Sequence, residues 1–344
     1  MSADLELLGV DIGGTSVKVI RYQGNERGQL WYRDGCPDRT PSAKLPSNVP
    51  ADEFMQEVRH ALKEASLYPP DVDLVGYSIC GPVVVERMEE GAKFWCLRLI
   101  NRGILDPFVV EAGAALNDGM AAAIGSSLAG VAKDHKGAFA LLTLGTGIGL
   151  GSMHWNEQGE RVVNDGEIHF PIRESERMCN CKRLGCFEAA ANESALRKYA
   201  EAEGLTADQI TKDLGRKFEK YLIDGEPTDI VEKLAKAMDR WHRCLAEGVA
   251  NIYVLLDMGG NSIQPPAMFI LGGGLGALID EEKMVHYVLE TYQGDPLVGG
   301  NFVVKKENEV GNRAGTIGAA ALALANHIGC HVTDIEFSDT GPTA

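Results

Sequence analysis

Residues 5–23, LELLGVDIGGTSVKVIRYQ, decide the fold. The first half is an apolar run that ends on Asp11, and the second is β-branched and alternating, so the period is two rather than 3.6. That pattern predicts two strands joined by a glycine turn. A dinucleotide fingerprint or a Walker A loop would need a helix after the glycines, and neither G-x-G-x-x-G nor G-K-S/T is present. What remains is a turn in which Gly13 and Gly14 let backbone amides approach an anion and Thr15 adds a hydroxyl. Lys18 supplies a positive side chain, and Asp11 projects a carboxylate beside the turn. An acid next to a phosphate needs a cation, which Mg2+, usually bridged by water, would provide. A hairpin turn that merely favours glycine accounts for the same residues without chemistry.

A second unit of the same kind follows in residues 138–155, AFALLTLGTGIGLGSMHW, where Gly145, Thr146 and Gly147 form a second phosphate loop. Two such units predict a duplicated fold with a nucleotide clamped between its halves. Residues 268–276, MFILGGGLG, place Gly272, Gly273 and Gly274 directly after a hydrophobic strand, where backbone can lie against a flat base or ribose.

Between these units, a strand over 108–116 leads to Asn117 and Asp118, ahead of the helix-forming run GMAAAIGSSLAG. A carboxylate at a strand-to-helix junction sits where α/β enzymes place catalytic groups. The competing reading makes Asp118 the cap of that helix. Further expected elements are a surface connection over 35–50, an amphipathic helix in ADEFMQEVRHALKEAS, and a buried strand in DLVGYSICGPVV that turns at Gly81 and Pro82. A long helix near 229–256 and a last helix, AGTIGAAALALAN, complete the set.

The stretch Asn164–Glu188 holds three of the eight cysteines. Cys179, Cys181 and Cys186 stand at C-x-C-x4-C spacing, with His169 ten residues ahead of the first. Thiolates this close repel one another unless a cation binds them, and Cys3His is a donor set for tetrahedral Zn2+. With four protein ligands such a metal has no open position and is structural. Unrelated free cysteines and an uninvolved histidine are the alternative.

The chain has 344 residues, 45% hydrophobic and 24% charged, which is ordinary for a globular protein with room for two domains. A net charge of −16 repels phosphate polymers, so no nucleic-acid partner is expected. No stretch has the length and apolarity of a membrane span, and the opening residues carry no basic leader. Scattered cysteines outside the cluster fit a cytoplasmic location.

DIGGTSVK, the Asn117-Asp118 pair before an alanine-rich helix, LGTGIGLG, C-x-C-x3-G-C-x-E and LGGG together resemble the ROK family of sugar kinases and sugar-responsive repressors. The likeness covers nearly the whole chain. It implies an α/β, actin-like ATPase (ribonuclease H-like) fold of two domains, with ATP and a hexose meeting in the cleft, and a homodimer. The expected division is 1–123, 124–328 and a loose tail over 329–344, with the last helix packing back on the first domain. The resemblance also implies that Asp118 is the catalytic base, that Asn117 contacts the sugar, and that Glu167 and Glu188 bind its hydroxyls. His169 would turn one ring nitrogen to zinc and the other to the sugar.

Three positions depart from the family pattern. One residue is missing between Glu167 and His169, where the family has Glu-x-Gly-His. Lys182 stands at a family glycine, and Met120 replaces the second asparagine of N-D-x-N. The expected activity is ATP-dependent phosphorylation of a hexose 6-hydroxyl, with glucose ahead of the N-acetylhexosamines. A repressor is disfavoured because only ten residues precede Asp11. A non-catalytic sugar-binding protein is the further alternative.

Overall fold

The structure is a computed structural model that describes residues 4–13, 16–37, 40–44, 56–57, 60, 63–64, 72–79, 83–88, 91–96, 108–109, 113–156, 158–173, 175–179, 181–206, 209–210, 228–258, 266–291 and 303–341. Gly14, Thr15, Gly81 and Pro82 lie outside these residues, as does most of the helix expected in ADEFMQEVRHALKEAS.

The first sheet is built on β1 (Leu5–Ile12), which pairs antiparallel with β2 (Ser16–Gly24), and β2 with β3 (Gln29–Tyr32). β4 (Ser42–Lys44) pairs with β2, and β5 (Leu74–Ile79) lies parallel to β1. A separate three-stranded sheet holds β6 (Val83–Met88), β7 (Gly91–Cys96) and β8 (Phe108–Val109). β9 (Gly113–Asn117) returns to the first sheet, parallel to β5.

The second sheet repeats this plan with β10 (Phe139–Leu144), β11 (Ile148–Trp155), β12 (Arg161–Asp165), β13 (Met268–Gly272) and β14 (Val303–Lys306). The strand orders are β3-β2-β1-β5-β9 and β12-β11-β10-β13-β14, the same path of three antiparallel strands followed by two parallel ones. The duplication expected from the two glycine units is therefore present in the topology.

Two helices of small residues lie between the sheets. α1 (Asp118–Ala129) packs on β10 and β11. The last helix, Ala314–Ile328, packs on β1, β5 and β9 and crosses α1. The crossing is close because glycine lines it from both sides. A Cβ on Gly125 would fall 2.0 Å from the Ala314 carbonyl oxygen, and one on Gly318 would fall 2.0 Å from that of Ala121. Burial of these faces, together with Leu7, Tyr22, Phe139 and Ile270, forms one apolar core that spans both sheets. The outer face of the second sheet is covered by α2 (Phe187–Ala191), α3 (Glu193–Ala202), α4 (Thr228–Met258) and α5 (Glu281–Thr291), over a second core containing Phe187, Trp241 and Phe269. The last helix is α6, and it ends at Gly329, whose φ of 73° is the left-handed cap geometry that glycine adopts without steric cost.

Three expectations are corrected. Residues 330–341 are not a loose tail: β15 (Glu336–Ser338) pairs parallel with β3, and Phe337 is buried against Tyr22 and Tyr32. Val332, in a short 3-10 turn, and Ile335 and Phe337 are buried there, while Glu336 and Ser338 on either side of Phe337 are exposed. The expected surface connection over 35–50 contributes β4, and the expected strand over 108–116 divides into β8 and β9, which join different sheets.

Candidate active site and metal centre

Register places the first group of residues. Asp11 stands opposite Lys18 across the antiparallel pair and opposite Ser78 across the parallel one, so all three side chains emerge on one face. Lys18 Nζ donates to Asp11 Oδ2 at 2.7 Å, and Ser78 Oγ donates to Oδ1 at 2.7 Å. Both oxygens of a buried carboxylate are thus engaged by protein donors. In the second sheet the equivalent register positions are Thr143, Gly149 and Gly272. The charged trio has a small, neutral counterpart, and the repeat is chemically asymmetric.

α1 brings Asp118 to the same place. Asn117 is the cap of this helix: its Oδ1 accepts from Gly119 N at 2.8 Å and from Met120 N at 3.4 Å. Asp118 is the first helical residue, and its Oδ1 also accepts from Gly119 N, at 2.9 Å. A Cβ on Gly149 would lie 2.8 Å from Asp118 Oδ1 and 2.5 Å from Thr143 Oγ1, so the absence of a side chain on β11 makes room for the carboxylate. Desolvation pushes the Asp118 carboxyl up to about 7, with the negative charge of Asp11 adding to the rise and Lys18 opposing it. A carboxyl poised there takes or gives a proton near neutral pH.

The second glycine turn closes with Gly145 N donating to the Gly147 carbonyl at 3.0 Å. The Gly145 carbonyl accepts from Glu193 N at 2.8 Å. No atom would lie within 4 Å of a Cβ on Gly145 or Gly274, so both glycines turn an open backbone face outward. Gly273 differs: at φ 81° it folds onto Leu144, and a Cβ there would be 2.5 Å from the Leu144 carbonyl oxygen. Its glycine is required by the turn itself. Backbone at 145 and 274 is thus left open beside the second turn, while Lys18 and Ser78 hold both oxygens of Asp11 directly.

The metal donors converge. His169 Nδ1, Cys179, Cys181 and Cys186 offer atoms that all lie within 4.8 Å of one another, and they are the group of this kind among the described residues. Nδ1 is 3.6 Å from Cys179 Sγ and 3.5 Å from Cys186 Sγ, and Cys181 Sγ is 3.9 Å from Cys186 Sγ. A zinc tetrahedron with bonds of about 2.3 Å to sulfur and about 2.1 Å to nitrogen has edges of about 3.6 to 3.8 Å. The donor set and its spacing therefore fit zinc.

Around this cage, Lys182 takes φ 67°, a left-handed conformation that glycine, the residue the family resemblance implies here, adopts without steric cost. Glu188 points its carboxylate at the cage, with Oε2 3.4 Å from Cys179 Sγ. Glu167 turns to its own loop. Its Oε1 accepts from His169 N at 2.6 Å and lies 3.9 Å from Arg183 Nη1, and its side chain is 61% exposed. With Ile168 alone between acid and histidine, the carboxylate caps the backbone it belongs to.

The ROK family pattern matches residues 7–326. The chain belongs to the ROK family. A glucokinase of Streptomyces coelicolor is 27% identical over 342 residues, covering 92% of this chain and 96% of that protein. A solved ROK family glucokinase from Streptomyces griseus, in complex with glucose and AMPPNP, matches with TM-score 0.59 at 23% identity over 92% of this chain and 99% of that one. A Listeria monocytogenes protein named as a proposed N-acetylmannosamine kinase matches with TM-score 0.58 at 20% identity, covering 94% of this chain and 100% of that one. The two sheets of this ROK protein thus form the actin-like ATPase fold.

Ser78, Thr143 and Gly149 touch this cluster and were not singled out by sequence reading. Gly149 had a signal: glycine recurs at 147, 149 and 151, the period that clears one face of a strand. Ser78 had none, because its role follows from pairing between strands 67 residues apart.

Proposed function

We propose that this ROK protein is an ATP-dependent hexose kinase acting on the 6-hydroxyl, with glucose as the acceptor. The observation that carries the reading is Asp118: a carboxyl raised to about 7, beside Asp11 and Lys18, at the meeting of both glycine hairpins. ATP supplies the transferable phosphoryl group. Asp118 would accept the proton of the attacking sugar hydroxyl, while Asn117 holds the start of the helix that aims it. Lys18 is placed to offset negative charge at the first turn, and the backbone faces of Gly145 and Gly274 to hold the nucleotide. His169, Cys179, Cys181 and Cys186 would hold a structural zinc that fixes the 169–188 segment, with Glu188 on its inner side. The names of the glucokinase relatives support glucose. The Listeria neighbour supports an N-acetylhexosamine as the second reading.

No described helix is long and apolar enough to cross a membrane. The reading includes a homodimer, as the family resemblance implies, and a cytoplasmic location, which the scattered cysteines fit.

A coupled ADP-release assay over a panel of hexoses and N-acetylhexosamines tests the proposal. Sugar-dependent ADP release that is fastest with glucose is expected. Fastest release with an N-acetylhexosamine would replace the acceptor, and none with any sugar from zinc-loaded, folded protein would leave a non-catalytic sugar-binding protein.

A further inference from the structure

Cys186 belongs both to the metal cage and to the next helix, for it is the residue from which α2 starts. Glu188 follows in the first turn of α2, and its two oxygens face different structures. Oε2 lies 3.4 Å from Cys179 Sγ and 3.7 Å from His169 Nδ1. A Cβ on Gly147 would fall 2.9 Å from Oε1, so the second glycine turn rests against the other side of the same carboxylate.

A second connection runs beside the first. α3 begins immediately after α2, and Glu193 N donates to the Gly145 carbonyl at 2.8 Å. Both ends of the turn are therefore supported by the chain that leaves the cage. The support is stiff. Phe187 is fully buried, stacks on Phe170 at a centroid distance of 5.3 Å, and its N–H donates to the Phe170 carbonyl at 2.9 Å. Packing of this density does not absorb a shift at one end by deforming in the middle.

We propose that Glu188 is a positioning residue that couples the metal cage to the second glycine turn, so that metal occupancy and nucleotide binding at that turn strengthen each other. The nucleotide half of this inference rests on the kinase reading, and the contact of Gly147 with Glu188 does not. Linkage makes the coupling reciprocal: whatever the metal does for the nucleotide, the nucleotide does for the metal.

The test follows zinc release from zinc-loaded protein to a zinc-selective chromogenic chelator, with and without saturating MgADP. ADP should slow release about fivefold or more, the lower range of such couplings. Gly147→Ala, which pushes on Glu188, should speed release in the absence of any nucleotide, at a melting temperature close to that of the parent. Glu188→Ala should retain one zinc per chain on its four ligands and lose the response to ADP. Release indifferent to ADP in protein that binds ADP by calorimetry would overturn the coupling and leave the kinase reading standing. Absence of ADP binding combined with faster release from Gly147→Ala would sink the kinase reading and keep the link between Glu188 and the turn. A Gly147→Ala rate equal to the parent's would overturn that link.

Discussion

Asp118 Oδ1 fills the space that a side chain on Gly149 would need: a Cβ at Gly149 would lie only 2.8 Å from it. The residue opposite Gly149 in the strand register is Thr143, whose hydroxyl accepts from Gly149 N at 3.1 Å. Carboxylate, hydroxyl and bare backbone are therefore packed as one unit, and crowding any of them moves the others.

Gly149→Ala should displace the Asp118 carboxylate by a fraction of an ångström. A misplacement of about 1 Å at a reacting group costs about 100-fold in rate, so a smaller loss is expected here. Steady-state kinetics should show the loss in kcat, with circular dichroism unchanged. A kcat within twofold of the parent would show that Asp118 tolerates the shift.

Asp118→Asn separates a base from a cap. The capping is done by Asn117, so an amide at 118 should leave the helix intact while turnover falls by about 10²- to 10⁴-fold, the usual cost of losing a general base. In the parent, kcat/KM should rise with pH and level off above about 7, because only the ionised carboxylate accepts a proton. Stability runs the opposite way. A carboxyl whose folded value lies above its ordinary 3.8 contributes stability that is full below that value and is lost as pH rises through about 7. Asp118→Asn, neutral throughout, should therefore be more stable than the parent at pH 8, with a higher melting temperature. Equal melting at pH 8, with parent-like kcat, would remove Asp118 from the chemistry.

Purified, unchelated protein should carry one zinc per chain by elemental analysis, and Cys181→Ser should lose it. Cys181 is the more exposed thiol of the three, so its loss removes a ligand without opening a cavity in the core. The variant should also bind sugar more weakly, since the segment that carries His169 and Glu188 is fixed by the cage. Parent protein without stoichiometric zinc would refute the site.

Lys182→Gly tests the strain beside the cage. A left-handed residue other than glycine costs about 1 to 2 kcal/mol, partly offset by the entropy that glycine loses on folding. The variant should gain about 0.5 to 1 kcal/mol in denaturant unfolding of the zinc-loaded protein. A loss of stability would show that the lysine side chain makes a contact worth more than the strain.

Much of the architecture was legible because it is periodic. Alternation around DIGGT and LGTGIGLG revealed both hairpins, and helical period located Thr228–Met258 within two residues at either end. The cysteine spacing showed the cage, and the structure added His169 Nδ1 within 3.6 Å of two thiols. The tail was misread because a strand of three residues, Glu336–Ser338, has too little length to display a period, and what orders it is pairing with β3 about 300 residues earlier in the chain.

Residue types, periods and local spacings were thus determined by the sequence alone: two glycine hairpins, a Cys3His donor set, and a carboxylate at a strand-to-helix junction. Tertiary structure decided which group does what. It gave the cap to Asn117, turned Glu167 back on its own loop, and set Lys18 and Ser78 on Asp11. It also put Glu188 between the cage and Gly147. The physical reason is range: a period is written in neighbouring residues, whereas register and close approach depend on which distant backbones meet, and on the missing side chains that let them meet.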